Sequence, residues 1–268
     1  MIPPERIVGH LAPDLDCIAA IWILRRFGGA SSAELVFVPA GSTYSDSPAD
    51  ADPRTIHVDT GLGRFDHHND DDDQICAAEL VRRAVAPNDP VLERLVRHVV
   101  ALDHAHNRRG DLGNSLTVND LIHGYNSLYP DDPTRVTLAM LPNLDAWYAQ
   151  EELLMRMEQA FKRRIEFQTR WGKGIAVESE DGGSSRLAYR EGAVIYAYRD
   201  GRGFCGIAAQ ANSSVNLSSV YTALLRADPG ADWYLHPNKR LLLCGTAKSP
   251  VRHLSELSLE ALVDILKK

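Results

Sequence analysis

The N-terminal half of the chain alternates short apolar strands with apolar helices, and this alternation constrains the fold more than any other feature. Strands are predicted at residues 6–10, 35–38 and 55–59, and helices at residues 17–27, 75–85 and 91–102. Strands that alternate with helices in this way form parallel sheets covered by helices. The pattern predicts an α/β fold with a mainly parallel N-terminal sheet flanked by helices.

The second half of the chain has a different pattern of predicted helices and strands. A stretch rich in Glu, Arg, Met and Leu, residues 145–171, predicts a long connecting helix. Beyond it, strands are predicted at residues 175–177, 193–198 and 241–244, and helices at residues 218–226 and 257–267. Because 268 residues exceed a typical single core, we predict two domains. They are an N-terminal domain over 1–133 and a smaller α/β domain over 172–268, joined by a helical connector over 134–171.

Composition limits the partners and the compartment. The formal net charge of -7, without an obvious basic track, argues against sequence-independent binding of long nucleic acids. Four cysteines are widely separated, and no CxxC spacing occurs among Cys17, Cys76, Cys205 and Cys244. The N-terminus lacks an apolar signal segment, and the apolar run over 17–24 is too short to cross a bilayer. These features predict a reduced, cytoplasmic protein that does not enter the membrane.

Six acidic and histidine side chains form a candidate metal site. Five of them lie at or just beyond the predicted ends of strands, and the sixth follows a helix; they are His10, Asp14, Asp16, Asp59, His67 and Asp103. The crevice outside the carboxyl ends of strands is where open α/β sheets bind ligands. Carboxylates with imidazoles and no thiolate suit Mn²⁺, and also Mg²⁺.

The spacing of these residues adds detail. Asp14 and Asp16 are two apart at a turn into a helix, so their carboxylates could serve two neighbouring ions. His67 and His68 are adjacent, and in an extended chain adjacent side chains leave on opposite faces. We therefore expect one histidine to bind metal while the other faces the substrate or the fold. Taken singly, an Asp-x-Asp is usually a turn or a helix cap, and a buried histidine is usually a hydrogen-bonded core residue.

The ordered combination resembles the motifs of the DHH phosphoesterase superfamily, which includes the family II inorganic pyrophosphatases. His10-x-x-x-Asp14-x-Asp16 resembles its first motif, and Asp59 its second. Asp66-His67-His68 resembles the motif that names the superfamily, and Asp103 the fourth. The resemblance covers about the N-terminal half of the chain.

This resemblance implies a role for each of these residues. It assigns one ion to His10 and Asp14, the other to Asp16, His67 and Asp103, and a bridging position to Asp59. His68 would contact the phosphate, and Asp66 would orient a histidine. Two ions about 3.5–4 Å apart can share a water, lower its pKa and direct its attack in line on phosphorus.

We therefore predict a divalent-metal-dependent phosphoesterase that hydrolyses a small phosphorylated substrate, such as a nucleotide or a short single-stranded oligonucleotide, between two α/β domains. Two alternatives stay open: an inorganic pyrophosphatase or polyphosphatase, and a non-catalytic nucleotide-binding regulatory module. A zinc peptidase is disfavoured because no HExxH motif occurs. The oligomeric state is open, and a homo-oligomer is compatible with the sequence.

The second domain offers fewer signals. The glycine-rich histidine motif that many nuclease members of the superfamily carry is missing, which leaves the substrate open. Candidate substrate contacts are Lys248, Arg252 and His253, together with Arg108 after the fourth motif. Residues 201–206 fit G-x-G-x-x-G, but poor helix sequence follows, so we predict a hairpin or a glycine turn there.

Overall fold

Three parallel strands form the sheet of the N-terminal half in the computed structural model. The strands are β1 (Arg6–His10), β2 (Glu34–Val38) and β3 (Thr55–His57), in the order β2-β1-β3. Both pairs are parallel, with His10 opposite Val38 and Val8 opposite His57. Strand order reverses at β1, so the carboxyl ends of β1 and β3 lie side by side. The predicted α/β class and the parallel N-terminal sheet are confirmed.

The structure describes residues 4–70, 72–104, 117–179 and 184–268, which cluster into two units, residues 1–152 and 153–268. The first unit contains α1 (Leu15–Phe27), α2 (Ala77–Val85), α3 (Pro90–Asp103), α4 (Val118–Leu128) and most of α5 (Pro133–Phe161). Ten consecutive residues of α1, Leu15 to Leu24, are buried, and all of them except Asp16 are apolar, so this helix is buried on all sides. It forms the centre of the first core with β1, α2 and α3.

Helix α5 differs from the predicted connecting helix over 145–171 at both ends. It begins at Pro133, where proline suits the first turn because that turn needs no N–H donor. It continues through Pro142, because Met140 and Leu144 are buried in the first core on either side of it. It ends at Phe161, well before the predicted end. The domain boundaries at 133 and 171 stay a prediction.

The second unit is built on a mixed six-stranded sheet in the order β4-β5-β6-β7-β9-β8. Its strands are β4 (Ile165–Thr169), β5 (Gly172–Glu178), β6 (Ile195–Arg199), β7 (Cys205–Ala209), β8 (Tyr234–Leu235) and β9 (Leu241–Cys244). Its complete helices are α6 (Ser185–Arg190), α7 (Ser218–Ala227) and α8 (Leu259–Leu266). Strands β5 and β6 are parallel and the other pairs are antiparallel. Together with the first sheet, this mixed sheet confirms the two-part α/β layout.

The G-x-G-x-x-G segment connects β6 to β7 as a hairpin, as predicted. Strands β6 and β7 pair in antiparallel fashion, and Asp200 accepts the backbone N–H groups of Arg202 and Phe204 in the turn. Gly203 has a φ of 89°, a value that favours glycine. A dinucleotide fingerprint opens a helix at this point, whereas here a strand follows.

Within the described ranges, no helix combines the length and the apolar composition that a bilayer crossing requires.

Candidate metal centre

The ends of β1 and β3 place the first two candidate ligands. His10 is the last residue of β1, and Asp59 lies two residues beyond the end of β3. His10 Nε2 and Asp59 Oδ2 are 3.2 Å apart. The opposite ring nitrogen, Nδ1, is 2.9 Å from the carbonyl oxygen of Leu11. When Nδ1 carries the proton for that bond, Nε2 is left as an electron-pair donor, which is the arrangement that metal-binding histidines adopt.

Asp59 adopts a backbone conformation that is uncommon for a residue with a side chain. Its φ is 56°, in the left-handed region, and its N–H donates to the carbonyl oxygen of Phe65 at 2.9 Å. The residue is 4% exposed. Strained backbone of this kind is concentrated at functional sites, where the surrounding structure maintains it. Here it turns a buried carboxylate toward His10 and His67.

A tight turn organises the Asp66-His67-His68 segment around Asp66. Oδ2 of Asp66 accepts the N–H of Leu62 at 2.7 Å, and Oδ1 accepts the N–H of His68 at 3.1 Å. Oδ1 also lies 2.7 Å from Nδ1 of His68. Although burial opposes it, the bond with His68 lowers the pKa of Asp66 below its ordinary value.

The two histidine rings lie on the same side of the segment, so the expectation that they leave on opposite faces is wrong. Their centroids are 4.6 Å apart and their planes 29° apart, which is a stacked arrangement. The cause is the backbone: this segment is a turn, closed by an N–H of Asp70 on the carbonyl oxygen of His67, and is not extended chain. Both Nδ1 atoms lie near Oδ1 of Asp59, at 3.7 Å for His67 and 3.8 Å for His68.

A second group of ligand atoms comes from three separate elements. Nδ1 of His67 is 3.6 Å from Oδ2 of Asp16, and its Nε2 is 3.3 Å from Oδ2 of Asp103. Asp103 is the last residue of α3, as predicted. Asp16 is fixed by α2, because its two oxygens accept the N–H groups of Ala77 and Ala78 at 2.7 and 2.8 Å. The helix N-terminus thereby supports a buried negative charge.

The electrostatics of these groups are those of a crowded carboxylate cluster. Burial, and secondarily the charge of Asp59, raises the pKa of Asp16 well above its ordinary value. Burial also raises the pKa of Asp59. The hydrogen bond with Asp103 raises the pKa of His67 to about 9, against the opposing effect of burial. For His10 burial lowers the pKa, but bonds to carboxylates outweigh it and the net pKa is raised. A divalent cation would relieve these interactions.

Two buried atoms at the meeting point of these groups lack a hydrogen bond, although they face each other at 3.7 Å. Oδ1 of Asp59 and Nδ1 of His67 have no hydrogen bond to any described residue. Buried polar atoms are nearly always satisfied, and the binding of an ion is one of the accepted explanations for an exception. With the mixed carboxylate and imidazole donors, these orphaned atoms fit a divalent metal.

The structure brings most of the predicted ligands together and adds one residue. Three groups have ligand atoms within 4.8 Å of one another in the described ranges. They are Asp16 with His67 and Asp103; Asp59 with Asp66, His67 and His68; and His10 with Cys17 and Asp59. Asp14 is in none of these three described groups. Its Oδ1 lies 3.9 Å from Nε2 of His10 and accepts the N–H of Cys17, as the N-cap of α1.

A pocket of about 330 Å³ opens over the site. Its lining comprises the predicted residues His10, Asp14, Asp59, Asp66, His67, His68 and Asp103. Three further lining residues, Ala40, Gly41 and Leu62, are not among the predicted ones. Leu62 is 55% exposed and has a positive φ of 55°; Gly61 and Gly63 on either side signal a turn, but they do not signal a role for this leucine in a pocket. The glycine at 41 is a usable signal, since it follows a strand of the parallel sheet.

Two neighbouring histidines have structural partners. His57 is buried, its Nε2 accepts the N–H of Tyr44, and its Nδ1 contacts the carbonyl oxygen of Ala49 at 2.9 Å. Nε2 of His104 lies 2.8 Å from the carbonyl oxygen of Ile75, and its ring meets that of His67 edge-on. His104 therefore connects the end of α3 to the loop before α2, beside the ligand Asp103.

The predicted substrate contacts belong to the second unit or lie outside the described residues. Lys248, Arg252 and His253 are exposed in the loop between β9 and α8 of the second unit. Asp232 accepts the backbone N–H groups of Arg252 and His253 at 3.1 and 3.0 Å. Arg108 lies outside the described residues. These assignments stay a prediction.

Comparisons with known proteins give distant similarities. Neither a known family profile nor a curated protein matches the sequence. Among solved structures, an uncharacterized protein from Helicobacter pylori is 12% identical, with 98% of both chains covered and a TM-score of 0.26. RecJ from Thermus thermophilus, in complex with Mg²⁺, is 13% identical with a TM-score of 0.33, and this chain spans about half of it (98% and 49% covered). The DHH domain of a member of a family of ribosomal proteins is 9% identical, with 98% and 85% covered and a TM-score of 0.33.

One of these structures is described as a DHH domain. At these TM-scores the superpositions carry no argument of their own about fold or activity.

Proposed function

We propose that this chain is a DHH-type, divalent-metal-dependent phosphoesterase that hydrolyses a small phosphorylated substrate. The observation that carries the proposal is the pair of orphaned atoms, Oδ1 of Asp59 and Nδ1 of His67, at the junction of the ligand groups. A core residue would have satisfied these atoms with hydrogen bonds. These atoms lie under an open pocket, which favours a catalytic metal site over a structural one because structural sites are closed.

Two sets of residues would each bind one ion. Asp16, His67 and Asp103 would hold one ion, and His10 with Asp59 the other, with Asp14 at the edge of the pocket. Asp59 lies between the two groups and would bridge them. When bound, such ions neutralise charge on the phosphoryl group and lower the pKa of a shared water.

His68 is the side chain best placed to act on the substrate directly. Its side chain is 60% exposed in the pocket, whereas that of His67 is 12% exposed. Asp66 engages Nδ1 of His68 and fixes the ring, so Nε2 is directed away from that bond. A ring fixed in this way can present Nε2 to a phosphoryl oxygen or to the leaving group of a bound substrate.

The size of the pocket favours small substrates. About 330 Å³ is at the lower end of volumes that enclose small ligands. A nucleotide or the end of a short oligonucleotide would present one phosphate to this volume. Lys248, Arg252 and His253 stay proposed substrate contacts.

The test is an assay of the metal-stripped protein refilled with Mn²⁺, Mg²⁺ or Zn²⁺. Phosphomonoesters, phosphodiesters, short RNA, cyclic dinucleotides and pyrophosphate are offered separately, and release of phosphate or nucleotide is measured. We expect Mn²⁺-dependent hydrolysis of at least one nucleotide substrate. His68→Asn should lower kcat by about 10²–10⁴-fold at unchanged metal content, and the exposed His123→Asn should be neutral.

Other outcomes lead to the alternatives. Hydrolysis of pyrophosphate or polyphosphate alone would make the chain a pyrophosphatase or polyphosphatase. Nucleotide binding by calorimetry, without product in the presence of any of the three ions, would favour the regulatory module.

A further inference from the structure

One side of the pocket over the metal centre is apolar. Ala40, Gly41 and Leu62, here called the apolar wall, line the same cavity as the carboxylates and histidines of the site. Leu62 is the large residue of this wall and is 55% exposed. A single exposed leucine on a protein surface needs no explanation. A leucine in a pocket beside candidate metal ligands is different, because small-molecule sites combine apolar lining with a few polar groups that orient the ligand.

The backbone of Leu62 has a conformation that its side chain does not favour. Its φ of 55° lies in the left-handed region, where glycine and asparagine are the common residues. The N–H of Leu62 donates to Oδ2 of Asp66 at 2.7 Å, and the other carboxylate oxygen of Asp66 lies 2.7 Å from Nδ1 of His68. One carboxylate therefore positions both the exposed leucine and the exposed histidine of the pocket.

The loop that carries Leu62 packs closely against a neighbouring loop. A Cβ added to Gly61 would lie 2.9 Å from Cγ2 of Thr43, and one added to Gly63 would lie 2.7 Å from Cβ of Ala49. The two glycines therefore allow the loops to approach on both sides of the leucine. Leu62 itself stays more than half exposed, so its side chain is available to a ligand in the cavity.

We propose that Leu62 is a specificity-determining residue that contacts an apolar group attached to the phosphoryl group of the substrate. The inference rests on the proposed function and names its substrate class: organic phosphoesters with an aryl or nucleoside group, in preference to inorganic pyrophosphate or polyphosphate. The phosphoryl group lies at the metal centre, and the attached group lies against the apolar wall. A second phosphoryl group in that position loses hydration beside Leu62 without a hydrogen bond in return.

The test compares two phosphonates that present the same anionic group to the ions and differ in the attached group. Methylphosphonate and phenylphosphonate are titrated into the full chain loaded with Mn²⁺, and Kd is measured by calorimetry. Their carbon–phosphorus bond is not an ester, so binding is measured without turnover. We expect phenylphosphonate to bind about tenfold more tightly, which corresponds to burial of about 60 Å² of apolar surface.

Two variants remove the apolar side chain and keep the backbone conformation. Asparagine and glycine both adopt a positive φ readily, so Leu62→Asn and Leu62→Gly should keep the Tm and the Mn²⁺ content of the wild type. In both variants the ratio of the two Kd values should fall close to one, because phenylphosphonate binds more weakly while methylphosphonate binds as before. Leu128→Asn, at a 68% exposed position at the end of α4, should keep the wild-type ratio.

Three results overturn the inference: equal binding of the two phosphonates by the wild type, a preference for phenylphosphonate that survives in both Leu62 variants, or no binding of either compound to the Mn²⁺-loaded chain.

Assays of hydrolysis separate this inference from the proposed function. Hydrolysis of phosphoesters by a chain that binds both phosphonates equally refutes the apolar contact and leaves the phosphoesterase intact. A preference for phenylphosphonate that depends on Leu62, without hydrolysis of any substrate, supports the contact and refutes the catalytic function.

Discussion

Replacing Asp59 by asparagine should move the stability of the metal-free and the metal-loaded protein in opposite directions. Oxygens of Asp59 and Asp16 lie within about 7 Å of each other, since Nδ1 of His67 is 3.7 and 3.6 Å from them. At an effective dielectric constant of about 20, two such charges repel by about 2 kcal/mol. The raised pKa of Asp59 means that its ionised form destabilises the folded chain at neutral pH.

The metal-free Asp59→Asn protein should therefore unfold at a higher temperature than the metal-free wild type. For a unit of about 150 residues, about 2 kcal/mol corresponds to roughly 4–8 °C in Tm. Partial compensation by His10 and His67, which gain from the charge of Asp59, makes this an upper estimate.

With metal bound, the wild type should unfold at a higher temperature than Asp59→Asn. An ion at about a hundred times its Kd stabilises the folded state by about 2.7 kcal/mol per site, so two sites raise the Tm of the wild type by roughly 10–20 °C. The variant lacks the carboxylate that would bridge both ions, and most of this increase should be lost. Elemental analysis should find less than one ion per chain.

The assay is differential scanning calorimetry with and without Mn²⁺ after stripping by a chelator. Asp131→Asn, at an exposed position between α4 and α5, controls for loss of one negative charge. A metal-free Asp59→Asn protein no more stable than the wild type, or one with the full Mn²⁺-induced shift, would refute the electrostatic reasoning.

Three further predictions address separate residues. His57→Leu should lower the free energy of unfolding in urea by about 1–3 kcal/mol, because the half-buried N–H of Tyr44 loses its acceptor. Burial lowers the pKa of His57, so below about pH 6.5 its protonation in the unfolded chain should destabilise the wild type relative to that variant, as urea titrations from about pH 7 to 5 would show. His104→Ala should weaken Mn²⁺ binding by about 10-fold in isothermal titration, since the bond to Ile75 no longer positions the end of α3. Arg252→Ala should raise KM for a phosphorylated substrate more than it lowers kcat, and unchanged steady-state kinetics would remove Arg252 from the substrate site.

The sequence predicts the first unit well because local and global signals agree there. Strand β1 has its predicted limits, and α3 delivers Asp103 at its end as expected. Prediction fails where tertiary contacts override local preference. The predicted helix begins at residue 145, whereas α5 begins at Pro133 and stays helical through Pro142 because the residues around that proline are buried. Strand β4, Ile165–Thr169, lies inside the predicted helix.

The candidate site likewise has features that the sequence predicts and features that depend on tertiary contacts. Residue types at strand ends predict that carboxylates and histidines converge, because the carboxyl ends of parallel strands meet at one edge of the sheet. The stacking of His67 on His68 depends on a turn, and the placement of Cys17 depends on the room that Gly9 leaves, so neither follows from spacing. Contacts of this kind are set by three-dimensional packing, which a linear pattern does not encode.

The bonds from α2 to Asp16 determine when the metal centre can form as the chain folds. Ala77 lies 61 residues after Asp16, so α2 has to dock before that carboxylate is oriented. Closing such a loop is slow compared with forming α1 itself. We therefore expect the ion to enter late, after the first core has assembled, and metal uptake to report completed folding of this unit rather than to nucleate it.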